Sequence, residues 1–293
     1  MARGPLNQQE VKQYRQDGFV LVRGMFDQAE IELLSRSARA DKALDDHAFD
    51  RADDQGGVVR LSLWNHPGNG IYGLFARCRS LVDSAESLLS GEVYHYHSKM
   101  IMKEPRVGGA WAWHQDYGYW YQNGVLFPLL TSVFIAVDRA TKENGCLQVL
   151  KGSHLAGRVD HILTGDQAGA DPERVAELLQ RLELVHVEME PGDAVFFDSN
   201  LLHRSDQNRS EHPRWSMICC YNAARNDPYK DAHHPRYTPL AKVDDAMILE
   251  AGAKHFSEDA SDVAWLDPGR DTSASSLPSV GQASACQSER SSD

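Results

Sequence analysis

The feature that most restricts how this chain can fold is a succession of short runs rich in β-branched and aromatic residues, at 93–103, 132–137, 146–150, 184–189, 194–198 and 215–222. Turn clusters such as Glu143-Asn144-Gly145 and Pro191-Gly192-Asp193 separate them. Such a series reads as the strands of a barrel or jelly roll. A helix over 172–182 interrupts it, with Pro172 in its first turn and Val175, Leu178 and Leu179 along one side. The expected fold class is mainly β with flanking helices.

Upstream, residues 8–17 read as a short helix stopped by Gly18, followed by a strand over 19–22. Asp27 with Glu30 forms a capping box for a second helix over about 28–44. Residues 45–57 are charged and end in glycine, which predicts a loop, and 79–89 predicts a helix closed by Gly91. The expected organisation is one unit over 1–268, helical to about residue 92, with a β core over about 93–225. Residues 269–293 are serine-rich and offer little to a core, so they read as a disordered tail.

The formal charge of −12 argues against nucleic acid and anionic membranes as partners, since both select basic faces. A small molecule is the expected partner, and oligomeric state is left open. The five cysteines have irregular spacing and no C-x-x-C, so neither a disulfide framework nor a zinc knuckle is indicated. No run approaches the apolar length of a membrane span, and a reducing cytoplasm is the default compartment.

The chemistry centres on Trp111-Ala112-Trp113-His114-Gln115-Asp116-Tyr117. On a strand, His114 and Asp116 would share a face with Cα atoms roughly 7 Å apart, close enough to converge on one ion. Strand followed by loop is the expected setting. Two histidines and one carboxylate form the facial triad that suits Fe(II) and oxygen, so a second histidine must come from elsewhere. His203 lies at the far end of the strand entered by Pro191-Gly192-Asp193, which carries it to a barrel mouth. Arg214 opens the next strand, and antiparallel pairing would bring its guanidinium near the metal to grip a carboxylate through two parallel bonds.

This combination resembles the phytanoyl-CoA dioxygenase family of Fe(II)- and 2-oxoglutarate-dependent oxygenases. Gln16-Asp17-Gly18-Phe19-Val20, Glu143-Asn144-Gly145-Cys146-Leu147 with Gly152-Ser153-His154, and the PGDAVFFDSNLLHRS run are similar to that family's segments. The resemblance implies a double-stranded β-helix core, with His114, Asp116 and His203 as iron ligands and Arg214 on the distal carboxylate of 2-oxoglutarate. O2 would be the second co-substrate, and an unactivated C–H bond would be hydroxylated with release of succinate and CO2. Lys103 and Asn200 are further candidates for the co-substrate. The spacing from His114 to Trp120 is similar to a signature of the ectoine hydroxylase branch, but the chain then departs, reading Asn123-Gly124-Val125-Leu126. A small polar or zwitterionic substrate is expected. The alternatives are an acyl-CoA α-hydroxylase, a metal-binding protein without turnover, and a zinc hydrolase.

Strand parity sends Trp111 and Trp113 away from the metal and leaves Tyr117, Tyr119, Trp120 and Tyr121 as candidates for the substrate wall. One of the pair His95 and His97 is a candidate lining residue. His154 reads as structural, and His233 and His234 as solvated loop residues.

Overall fold

The structure is a computed structural model that describes residues 4–53, 56–164, 167–256 and 264–267. In chain order its strands are β1 (Phe19–Val22), β2 (Phe49–Ala52), β3 (Val58–Trp64), β4 (Val93–Lys103), β5 (Trp111–His114), β6 (Leu130–Ala136) and β7 (Leu147–Leu150). They continue with β8 (His161–Thr164), β9 (Gln167–Ala170), β10 (Leu184–Val187), β11 (Ala194–Asp198), β12 (His203–Ser205) and β13 (Arg214–Ala223). The helices are α1 (Gln8–Asp17), α2 (Gln28–Ala40), α3 (Lys42–Asp46), α4 (Ile71–Arg77), α5 (Arg79–Leu89), α6 (Asp116–Trp120), α7 (Pro172–Leu179) and α8 (Met247–Phe256).

Seven strands form the larger sheet in the order β1-β11-β6-β13-β4-β3-β2, and four form the smaller in the order β10-β7-β12-β5. β8 and β9 make a separate ribbon, and the pairings throughout are antiparallel. One core lies between the sheets, where Phe134, Val195, Phe197 and Ile218 meet Leu147, Val149 and Val187. A second core lies on the outer face of the larger sheet, where Val133, Ile135, Phe196 and Met217 pack against Ile31, Leu34, Phe75 and Leu81 of the helices. The middle strands therefore have no solvent face, and all seven residues of β6 are buried. That explains why residues 132–137 read as a continuous apolar run rather than an alternating one.

The local signals before residue 92 are partly as expected. α1 has the predicted bounds and ends at Gly18, whose φ of 82° is the left-handed conformation that lets the chain turn straight into β1. α2 has the capping box between Asp27 and Glu30 but stops at Ala40, because the Asp41 side chain caps a new helix, accepting from the Ala43 N–H at 2.9 Å. The left-handed cap after α5 is Ser90, with φ 57°, rather than Gly91.

Two expectations need correction. Residues 45–57 are not a loop throughout, since β2 pairs with β3 along the sheet edge. The alternation Val59, Leu61, Leu63 with Arg60 and Ser62 between them is a strand pattern, whereas β2 has no such composition and is held by its partner. The segment before residue 92 also supplies β1, β2 and β3 to the larger sheet, so it is part of the β core as well as its helical cover. The serine-rich segment 269–293 lies outside the described residues.

Candidate active site

β5 and β12 pair so that His114 stands directly opposite His203, with ring centroids 4.0 Å apart. Each imidazole is fixed by the carbonyl two residues before it. His114 Nδ1 donates to Ala112 O at 2.8 Å and His203 Nδ1 to Leu201 O at 2.9 Å. A proton on Nδ1 leaves the Nε2 lone pair available. The two Nε2 atoms lie 4.0 and 3.9 Å from Asp116 Oδ1. Ligand atoms of His114, Asp116 and His203 all fall within 4.8 Å of one another, and all three residues are buried. Burial holds both imidazoles below the usual histidine pKa, His203 less strongly because Asp116 opposes the shift, so both are neutral and able to ligate.

Asp116 is not on the strand. β5 ends at His114, Gln115 is extended (φ −117°, ψ 135°), and Asp116 opens the short helix α6. Its Oδ2 accepts from Ser132 Oγ at 2.6 Å, which leaves Oδ1 turned toward the imidazoles. Gln115 keeps the two ligands on one side by anchoring on the other. Its side chain donates to Asn200 O at 2.6 Å and Gly157 O at 2.8 Å, and accepts from the Val159 N–H at 2.7 Å. The Gln115 N–H donates to His161 Nε2 at 3.0 Å, and His161 Nδ1 donates to Val159 O at 3.0 Å. Burial lowers the His161 pKa to about 4, consistent with a neutral acceptor. The His161 ring lies against α6 at Gly118, where a Cβ would come within 2.1 Å of it.

An open cavity runs from this cluster between the sheets. His114, His203, Phe134, Leu147, Phe197 and Ile218 line it, together with Lys99, Lys103 and Arg214. Arg214 and Lys103 are cross-strand neighbours on β13 and β4, 2% and 1% exposed. Arg214 donates to Ser216 Oγ at 3.2 Å and Gly145 O at 2.9 Å, while its buried Nε has no partner. Lys103 Nζ donates to Ser205 Oγ at 2.8 Å and Asp206 O at 2.5 Å. These acceptors are neutral. Burial lowers the Arg214 pKa to about 10. Burial and then the Arg214 charge push Lys103 well below the ordinary lysine value. Two adjacent buried cations hydrogen-bonded only to neutral oxygens are costly even with Asp206, Asp53 and Asp138 acting on them through space, and an anion with two acceptor oxygens would relieve that cost.

The remaining candidates divide. Asn200 does not line the cavity, and its carbonyl serves Gln115. Tyr117 and Trp120 are buried packing residues rather than cavity wall. The Tyr117 hydroxyl donates to Leu126 O at 2.6 Å, and the Trp120 ring stands 5.5 Å from Tyr96 and 5.7 Å from His97. Tyr121 is 43% exposed under the Arg158 guanidinium. Tyr119 donates to Ala168 O at 2.5 Å, with its ring 5.7 Å from His114.

Trp111 reverses the parity expectation. His203 to Ser205 on β12 faces His114 to Trp111 on β5, two steps against three, and this bulge turns Trp111 into the cavity, its ring 6.0 Å from His114. Trp113 packs outside, as expected, below Arg204. His234 is buried rather than solvated. Its ring stacks on His97 at 4.5 Å, and its Nδ1 donates to Asn65 Oδ1 at 2.9 Å. His95 is buried and bonded to Ser98 Oγ at 2.7 Å. His154 packs under Gly18, in the structural role expected of it. Sequence reasoning missed Lys99, which the parity of β4 places on the face of Lys103.

Comparison with known proteins is consistent with this geometry. The L-proline trans-4-hydroxylase of Streptomyces griseoviridis is 30% identical over 239 residues, covering 76% of this chain and 85% of that protein. The ectoine dioxygenase of Sphingopyxis alaskensis is 28% identical over 237 residues, covering 76% and 78%. The crystal structure of EctD from S. alaskensis with bound Fe superposes with a TM-score of 0.70 at 25% identity, covering 83% of this chain and 89% of that one. The same protein with 2-oxoglutarate and 5-hydroxyectoine gives 0.67 at 27% identity, covering 83% and 86%. The profile of phytanoyl-CoA dioxygenase (PhyH) matches residues 14–216. With that match spanning most of both sheets and the ligand cluster, the chain belongs to the phytanoyl-CoA dioxygenase family.

Proposed function

We propose that this protein is a Fe(II)- and 2-oxoglutarate-dependent dioxygenase that hydroxylates an unactivated C–H bond of a small polar or zwitterionic molecule. O2 is the second co-substrate, and succinate and CO2 are released. The observation that carries the reading is the pair Arg214 and Lys103, buried with hydrogen bonds only to neutral oxygens in the cavity that His114 and His203 also line, with Asp116 beside those two histidines. The similarity to EctD, solved with Fe and with 2-oxoglutarate and 5-hydroxyectoine, supports it.

The residues present fit the metal. The two neutral Nε2 atoms and Asp116 Oδ1 converge, with their other polar atoms already bonded inside the protein. Iron held there supplies the oxygen chemistry. The chain's own residues supply binding and orientation. Arg214, with Lys103 beside it, takes the distal carboxylate of 2-oxoglutarate and points its other end toward the ligand cluster. Phe134, Leu147, Phe197 and Ile218 keep the space between apolar and exclude water. The paired sheets and their shared core support the double-stranded β-helix reading of the core, within one oxygenase unit over 1–268. The described cysteines are all free and buried, which supports a cytoplasmic setting, and no described helix is long and apolar enough to cross a membrane.

Purified protein given Fe(II), 2-oxoglutarate and air should release succinate, with the release lost under nitrogen or with a chelator. Metal-independent or oxygen-independent release, or none at all, would reject the reading.

A further inference from the structure

The inner face of β4 carries Lys99, Ile101 and Lys103, and all three line the cavity. At about 3.3 Å per residue the two lysine Cα atoms lie roughly 13 Å apart. Lys103 is tied to Ser205 and Asp206 beside Arg214. Lys99 is half-buried between Leu63 and Ile218 in the sheet register and has no hydrogen bond or ion pair with any described residue. His97, two residues before Lys99 on the same strand, stacks on His234 at 4.5 Å, so Lys99 lies along β4 between that second wall and Lys103.

The charges in the cavity can be assigned one by one. 2-Oxoglutarate brings two carboxylates, one for Arg214 and Lys103 and one for the metal. A lysine roughly 13 Å along the strand from Lys103 is not needed for either and keeps an unmatched positive charge facing the cavity. We propose that Lys99 receives a carboxylate of the primary substrate, so that the enzyme acts on small carboxylic acids and rejects their uncharged amides. This rests on the dioxygenase reading above. Loss of a charge-assisted bond to an ammonium weakens binding by about tenfold or more.

The test uses L-proline and a panel of other cyclic and linear α-amino acids, each beside its own carboxamide, with stimulated succinate release as the readout. At least one acid should raise release over the rate with 2-oxoglutarate alone, and its amide should not. Lys99→Met should raise the KM for that acid about tenfold or more, with the KM for 2-oxoglutarate within about twofold, and Lys99→Arg should recover most of the loss. Calorimetric titration of the same acid, without oxygen, into protein holding Fe(II) and 2-oxoglutarate should show the same loss without turnover. Equal stimulation by acid and amide, or basal succinate release that no acid in the panel stimulates, overturns the proposal. So does a KM for 2-oxoglutarate that rises with the acid's, because it would place Lys99 in the co-substrate site. Wild-type protein that makes no succinate under any condition overturns the dioxygenase reading itself, and this proposal with it.

Discussion

The ligand cluster and the cationic floor of one cavity are finished to different degrees. Around His114, Asp116 and His203 the neighbouring polar atoms are spoken for: the Ala112 and Leu201 carbonyls each accept a hydrogen bond, Ser132 donates one, and only the converging lone pairs remain. Around Arg214 and Lys103 the bonds are to neutral oxygens, and neither charge is hydrogen-bonded to a carboxylate. The first region is organised before its ion arrives. The second is electrostatically incomplete until an anion binds, and is therefore the region that should respond to co-substrate.

Substitutions can break that contrast at either end. Asp116→Ala should remove metal binding and lower Fe-dependent succinate release by more than about a hundredfold; retained turnover would dissolve the triad. Arg214→Lys should leave metal content alone and raise the KM for 2-oxoglutarate by about tenfold or more, because a two-pronged donor becomes a point charge. An unchanged KM would reject the role given to Arg214.

Acid should separate the ends without mutation. Burial lowers the pKa of His114, His203 and His161, the last to about 4, so between that value and the unfolded value near 6.5 the unfolded chain binds more protons. Stability from these groups is therefore whole above about pH 6.5 and is lost as the pH falls, by up to about 1.4 kcal/mol per pH unit for each histidine. Thermal unfolding from pH 7 to pH 5 should show a falling Tm and weakening metal affinity, and a flat profile would contradict the buried neutral imidazoles. Gly118→Ala would press a methyl against the His161 ring and should cost about 1–3 kcal/mol, measured by denaturant unfolding. Tyr121→Ala, at an exposed ring, should change stability by less than about 0.5 kcal/mol and leave every KM in place; a raised substrate KM would return Tyr121 to the substrate wall.

Much of the site was legible in the sequence because it hangs on local punctuation. Pro191-Gly192-Asp193 starts the strand that delivers His203, and antiparallel pairing then brings Arg214 beside Lys103. What escaped depends on events at a distance. The parity argument failed for Trp111 because a bulge on β5 is set by its pairing with β12, which nothing in residues 111–114 announces. His234 looks like a loop residue, and it is Asn65, 169 positions away, that holds it inside. The aromatics after Asp116 resembled a substrate wall, but α6 turns Tyr117 and Trp120 into the core. Lys99 was within reach, since the alternation that selected Lys103 selects it too.

Gln115, the residue between two ligands, has its own consequence for how this protein comes into being. Its carboxamide is shared among Gly157, Val159 and Asn200, all contributed by chain made well after it. The spacing of His114 and Asp116 is thus underwritten by downstream segments that must be synthesised, and closed over long loops, before the two side chains can settle. A nascent chain ending before residue 200 has the H-x-D pair but neither the complete brace nor His203. Competence to take up metal should appear abruptly and late, which makes metal capture a reporter of completed folding rather than a seed for it.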